Sequence, residues 1–161
     1  MPEIVINTCY GGFSLSPAAV KRLAELNGKE CYFLRGGVIE PYVHCDDDLS
    51  ILTWDGVFWS AFSVPDPNVM KASLKACTAP PGSEERDRLL RQWKAMFLDR
   101  YVTNPRDRAD PKLIQVVKEL GKKASHKYSE LKIVEIPDGI DWEIVNRDGK
   151  EFVREASRVW S

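Results

Sequence analysis

The sequence predicts an α+β fold: a mixed or antiparallel sheet with about three packed helices and a C-terminal β-hairpin. Three observations carry that expectation. Asp148-Gly149 lies between two short apolar runs, the chemistry of a type I′ hairpin turn. Ser16-Pro17, Ser83 and Asp110-Pro111 are helix-start signals, each a good N-cap, two of them with proline at the first helical position. Glu3 to Asn7 followed by Gly11-Gly12 reads as a strand and a glycine loop ahead of the first of those helices.

The elements follow in order. After the first strand and loop, Leu15 and Val20 are placed for a hydrophobic staple around the Ser16 cap. Val20, Leu23 and Ala24 give that helix its apolar face, and Gly28 ends it. Cys31 to Leu34 reads as a strand, Gly36-Gly37 as a turn, and Val38 to His44 as an antiparallel return. Ile51 to Trp54 and Val57 to Ser60 flank Asp55-Gly56, a second hairpin signal. Pro65, Pro67, Pro80 and Pro81 mark loops. Ser83 then caps a helix with Glu84 and Glu85 in its first turn and Leu89, Leu90, Trp93 and Phe97 as its stripe. Val102 to Ala109 is a polar connector. Asp110 caps a helix whose buried face is Leu113, Ile114, Val117 and Leu120. Leu131 to Ile136 is a strand closed by Pro137-Asp138-Gly139. The final hairpin pairs Arg147 with Lys150, Ile144 with Val153 and Glu143 with Arg154. One sheet is expected to carry the first strand, 131–136 and this hairpin. The whole chain, 1–161, is read as a single domain with an insert-like middle at about 31–82.

Composition excludes several classes. The chain has 161 residues, 43% apolar and 29% charged, with a net charge of −1, so a soluble protein with a real core is expected. A duplex-binding protein usually shows a basic excess, and none appears; nucleic acid is therefore not expected as a partner. No apolar run reaches the ~20 residues that span a bilayer. Met1-Pro2-Glu3 opens straight into a strand without a secretory leader, which points to the cytoplasm. Cys9, Cys31, Cys45 and Cys77 match no zinc spacing and are expected as reduced thiols. No membrane partner, metal or cofactor is expected.

Three separated motifs carry a resemblance. They are Cys9-Tyr10-Gly11-Gly12-Phe13-Ser14-Leu15-Ser16; Asp110 to Ile114 with Val116 to Gly121; and Leu131 to Asp138 followed by Trp142-Glu143-Ile144, Asp148-Gly149 and Arg158-Val159-Trp160. In this order they resemble a family of small uncharacterised proteins of tailed bacteriophages, large DNA viruses and some single-celled eukaryotes. The likeness covers about 1–28 and 104–161, while 29–103 departs from it. It implies no activity. It implies that the first and last segments share one core.

The glycine loop is the leading site candidate. It lacks the third glycine of a dinucleotide fingerprint and the Gly-Lys-Ser/Thr of a phosphate loop. It could still cradle a small anion or nucleotide at a helix start. Asn7, Gly11, Gly12 and Ser14 are its expected ligand-binding residues, with Arg106 and Arg108 from the connector as guanidinium forks. The structural alternative is a tight turn, with Asp107 and Asp110 neutralising the arginines. Cys9 could act as a nucleophile with His44 or His126, oriented by Asp46, Asp47, Asp107 or Asp138. His44-Cys45-Asp46-Asp47-Asp48 holds metal-ligand types, but neighbours on a strand point to opposite faces. Trp54, Phe58, Trp59 and Phe62 could stack bases, yet no lysine or arginine occurs in 36–70.

The favoured function is a non-enzymatic ligand-binding or interaction protein with an anion or nucleotide site at the glycine loop, its partner a small anion or a protein. No catalytic residue is assigned. The rivals are a cysteine-dependent hydrolase or transferase using Cys9, and a viral-type nucleic-acid accessory factor.

Overall fold

A computed structural model of the chain describes residues 1–36, 42–44, 59–98, 102 and 105–156. The fold is α+β, and its strand pairings are all antiparallel. The chain divides into two compact units, Met1–Leu26 with Asn104–Ser161, and Asn27–Thr103.

The first unit holds β1 (Glu3–Asn7), α1 (Pro17–Leu26), α4 (Pro111–Leu120), β5 (Leu131–Glu135), β6 (Trp142–Arg147) and β7 (Lys150–Glu155). β1 pairs with β5 from Glu3↔Glu135 to Asn7↔Leu131, so the first and last segments do share a core. Ile4, Val5, Ile6 and Asn7 are all buried, which requires cover on both faces of the strand. Ile4 and Ile6 meet Ile136, Ile144, Val153 and Trp142. α4 packs on β1 and β5, and α1 packs on α4. The backbone N–H of Val5 donates to Arg108 O at 2.9 Å, so the connector satisfies part of the other edge of β1.

The caps act as their residue types require. Ser16 Oγ accepts from Ala19 N at 3.2 Å and itself donates to Lys123 O. Asp110 accepts from Lys112 N at 2.8 Å. The staple residues Leu15 and Val20 are buried. On α4 the buried residues are Leu113, Ile114, Val116 and Val117; Val116 replaces Leu120 in the expected face because the helix is covered on a broad arc.

The terminal hairpin has the expected register, including Glu143↔Arg154, Ile144↔Val153 and Arg147↔Lys150. Its turn residues Asp148 and Gly149 have φ of 52° and 94°, the left-handed pair of a type I′ turn. The hairpin forms its own two-stranded sheet rather than joining β1 and β5 in one. Its inward side chains, not a ladder, attach it to β1.

The second unit holds β2 (Tyr32–Gly36), β3 (Tyr42–His44), β4 (Trp59–Phe62), α2 (Asn68–Ala76) and α3 (Glu84–Met96). The strand order is β3-β2-β4. Gly36, expected in a turn, ends β2 and pairs with Tyr42. Ser83 caps α3 by accepting from Arg86 N at 3.4 Å. Phe62, Trp93 and Phe97 form an aromatic cluster with ring centroids 4.6–6.1 Å apart. α2 falls where only loops are expected from the prolines. It buries no side chain, and its N-cap position is Pro67, which makes no side-chain cap bond, so the local start signal of the other helices is missing. The expected turn at Gly37, the hairpin signal at Trp54 to Phe58, Cys45 with Asp46 to Asp48, Asn104 and Trp160 lie outside the described residues.

Candidate functional site

The end of β1 and the loop after it are tied to two distant segments, 128–130 and 149–151. Asn7 is fully buried. Its Nδ2 donates to Cys9 O at 2.7 Å and to Gly149 O at 2.8 Å. Its Oδ1 accepts from Glu130 N at 2.9 Å and from Cys9 N at 3.4 Å. Both amide donors and both acceptor positions are used, so this side chain is a clamp on its own backbone.

The two glycines answer different needs. A Cβ on Gly11 would lie 1.8 Å from Tyr128 O and 2.6 Å from Tyr128 Cβ, so only glycine lets the loop touch that segment. Gly12 has a φ of +86° with open space at its Cβ position. Across the loop, a Cβ on Gly149 would lie 2.3 Å from Tyr10 O and 2.7 Å from Gly12 N. The backbone that the glycines bare is thus approached by the chain itself, from Tyr128 on one side and the hairpin turn on the other.

Arg108 reaches the same place. Its guanidinium binds Glu151 through both ends, Nη1 to Oε2 at 2.9 Å and Nη2 to Oε1 at 3.0 Å. The guanidinium carbon sits 3.4 Å from the Phe13 ring centroid. Glu151 is only 4% exposed and also accepts from the backbone N–H of Asn7 at 2.8 Å. A buried carboxylate needs such pairing, and a bidentate arginine stacked on an aromatic ring supplies it. The expected pairing of Arg108 with Asp107 or Asp110 does not form: Asp107 instead accepts from Ala109 N, and Asp110 caps α4. Arg106 lies exposed in a bend with no ion pair among the described residues. The Ser14 carbonyl accepts from Ser129 Oγ at 2.7 Å. The structure therefore brings Asn7, Gly11, Gly12 and Arg108 together, and the side chains of Asn7 and Arg108 bind the chain itself.

Glu151 was the residue sequence reasoning passed over. A signal existed: the hairpin register puts Glu151 on the same face as Val153, toward the core, where a carboxylate demands a cation. Cys9 Sγ donates to Tyr128 O at 2.8 Å, with Asn7 Oδ1 at 3.6 Å. None of its hydrogen bonds among the described residues goes to an imidazole. Cys9, Cys31 and Cys77 form no disulfide. Among the described residues no group of three His, Cys, Asp or Glu side chains could hold a metal ion, and no helix is long and apolar enough to cross a membrane.

What remains accessible around the loop is aromatic and cationic. Tyr10 is 70% exposed and Phe152 is 44% exposed. Lys150 Nζ stands 5.4 Å from the Tyr10 ring centroid and 5.5 Å from that of Phe152, within cation–π range of both. Tyr128, 56% exposed, has Lys127 Nζ at 5.4 Å from its ring. A hollow of about 200 Å³ lies beside Phe152, which lines it with Val145, Arg147 and Arg154. A second hollow, about 490 Å³, is lined by residues that include Pro2, Glu3, Ile114 and Lys118. Neither is lined by any residue from 7 to 14.

No family model matches the chain, and no curated protein or solved structure does.

Proposed function

We propose that this chain is a non-enzymatic binding protein, and that it recognises an anionic ligand on the aromatic and cationic ridge beside the glycine loop. One observation carries the proposal: Lys150 stands between the exposed rings of Tyr10 and Phe152. Exposed rings contribute little to a core, whereas a ring beside an ammonium offers both a stacking surface and a charge. The buried clamp of Asn7, Arg108 and Glu151 supports this placement, because those side chains are already engaged with one another and with the chain. The glycine loop then positions Tyr10 beside Lys150.

Titration of a nucleoside triphosphate or pyrophosphate into isotope-labelled protein tests this. Amide shifts are expected at 9–12 and 147–153, and Lys150→Ala should abolish them. Shifts confined to other segments, or none at millimolar ligand, would overturn the proposal.

A further inference from the structure

The outer face of the β6–β7 hairpin has a composition that folding does not require. Strand alternation and the observed register put Glu143, Val145 and Arg147 on one face with Arg154, Phe152 and Lys150. The opposite face carries Ile144 and Val153 into the core and Glu151 into its pair with Arg108. The outer face thus holds three cations against one carboxylate, and Glu143 is paired with Arg154. Arg147 and Lys150 make no ion pair among the described residues. Between the cations sit Phe152 and the hollow it lines with Val145. The ridge continues without a break in the backbone contacts: Gly149 abuts Tyr10, and Gly11 abuts Tyr128.

We infer that this face binds single-stranded nucleic acid, with unpaired bases stacked on Phe152, Tyr10 and Tyr128 and phosphates met by Arg147, Lys150 and Lys127. The inference rests on the reading that the ridge takes an anionic ligand, and names its class. Aromatic rings interleaved with cations form the stacking platform that unpaired bases use. A duplex hides its base faces, and a duplex-binding protein typically spends six to ten cations on phosphates; the ridge offers about half as many. The chain's net charge of −1 is consistent with such a site, because the cations that matter are local. An acidic peptide would use the cations but not the exposed ring faces of Tyr10 and Phe152.

Fluorescence anisotropy with a labelled oligothymidylate of about eight nucleotides tests the inference. Its comparators are a duplex of that length, an abasic sugar–phosphate chain and a polyglutamate peptide. The single strand should bind best. Its affinity should fall with salt at a slope of about −2 in log–log form, as three phosphate contacts require. Phe152→Ala and Tyr10→Ala should each weaken binding about tenfold, and Lys150→Ala should also reduce the salt slope, while Lys21→Ala on α1 changes nothing. Hairpin amide shifts report whether each variant is folded, and Phe152→Tyr should retain binding. If the nucleoside triphosphate binds the ridge but the octamer binds no better than its abasic analogue, the nucleic-acid inference fails and the anion reading stands. If neither binds, both fall. Preference for the duplex or the peptide, or binding that ignores Phe152 and Tyr10, also overturns the inference.

Discussion

The two units are stabilised differently. In the first, α1 buries Pro17, Ala19, Val20, Leu23 and Ala24, and α4 buries Leu113, Ile114, Val116 and Val117. In the second, neither α2 nor α3 fully buries a residue. Among the described residues of the second unit, burial falls on Phe33, Leu34, Ala61, Leu98 and Val102 and on Phe62, which is fully buried beside Trp93 and Phe97. The first unit also carries something the described part of the second does not, a buried charged pair inside a hydrogen-bond network. Dispersed packing with a polar clamp should tolerate change differently from a concentrated aromatic contact. Four experiments probe that contrast.

The largest effect is expected from Phe62→Ala. Truncating a fully buried phenylalanine costs about 3–5 kcal/mol, read as a drop in the denaturant midpoint. Hydrogen exchange should lose protection at 32–36 and 59–62. An unchanged midpoint would mean that the aromatic cluster does not support its sheet.

Arg108→Ala should follow, at about 3 kcal/mol, because it strands the Glu151 carboxylate in a nearly closed site. A substitution in a solvated connector would cost little, so this result separates the two descriptions of that segment. The sharper test is rescue. Replacing both partners with methionine should recover part of the loss, since a buried ion pair and a packed apolar pair are often close in energy, while the Asn7 N–H loses its acceptor. Adding Trp93→Ala to Phe62→Ala should rescue nothing. Rescue in both units, or in neither, would erase the contrast.

Glycine substitutions come next. Gly11→Ala drives a methyl group into the Tyr128 backbone and should cost about 1–3 kcal/mol or more. Gly12→Ala meets open space and costs only its positive φ, about 1–2 kcal/mol. Thermal unfolding of the pair should rank them in that order; the reverse ranking would show that the close approach to Tyr128 is dispensable.

The smallest effect concerns the exposed link between α1 and α4. Hydrogen bonds from Arg22, and then from Gln115, hold the Glu119 carboxyl at about 2, against an ordinary 4.5. A carboxylate with a lowered folded pKa adds stability above its unfolded pKa and loses it as pH falls through the folded value. Any contribution should therefore be complete above about pH 4.5 and vanish toward pH 2. Because the pair is solvated, the midpoint at neutral pH should barely respond to Arg22→Gln. The Glu119 side-chain titration by NMR should nonetheless move back up toward 4.5. No such movement would mean that the arginine does not engage it in solution.

These outcomes bear on what the sequence could reveal. The hairpin register was legible because Asp148-Gly149 fixes the turn, and a turn of known length fixes every pair beyond it. The caps at Ser16, Ser83 and Asp110 were legible because capping is local chemistry. α2 was not, since Pro67 stands at its N-cap with no side-chain cap bond and the surrounding prolines read as loops. The role of Arg108 was not either. Its partner Glu151 lies 43 residues away, and the nearer Asp107 and Asp110 offered a plausible local answer. At Gly11 the glycine permits a close approach, but glycine chemistry does not say whether ligand or chain makes it.

The clamp at Asn7 also sets a timetable. Its partners Glu130, Gly149 and Glu151 are synthesised more than a hundred residues after it. At about 5–20 residues per second, the ribosome releases them roughly 6–30 s later. Until then β1 has neither its ladder with β5 nor the buried acceptor for its last amide. The segment 27–103, contiguous in sequence, is complete well before that. Until Glu130 to Glu151 are made, a nascent chain therefore carries an apolar Ile4-Val5-Ile6 strand with an open edge, the kind of edge that invites mispairing. Stalled chains truncated before residue 130 should bind a holdase chaperone through this strand, and chains extended past Glu151 should not.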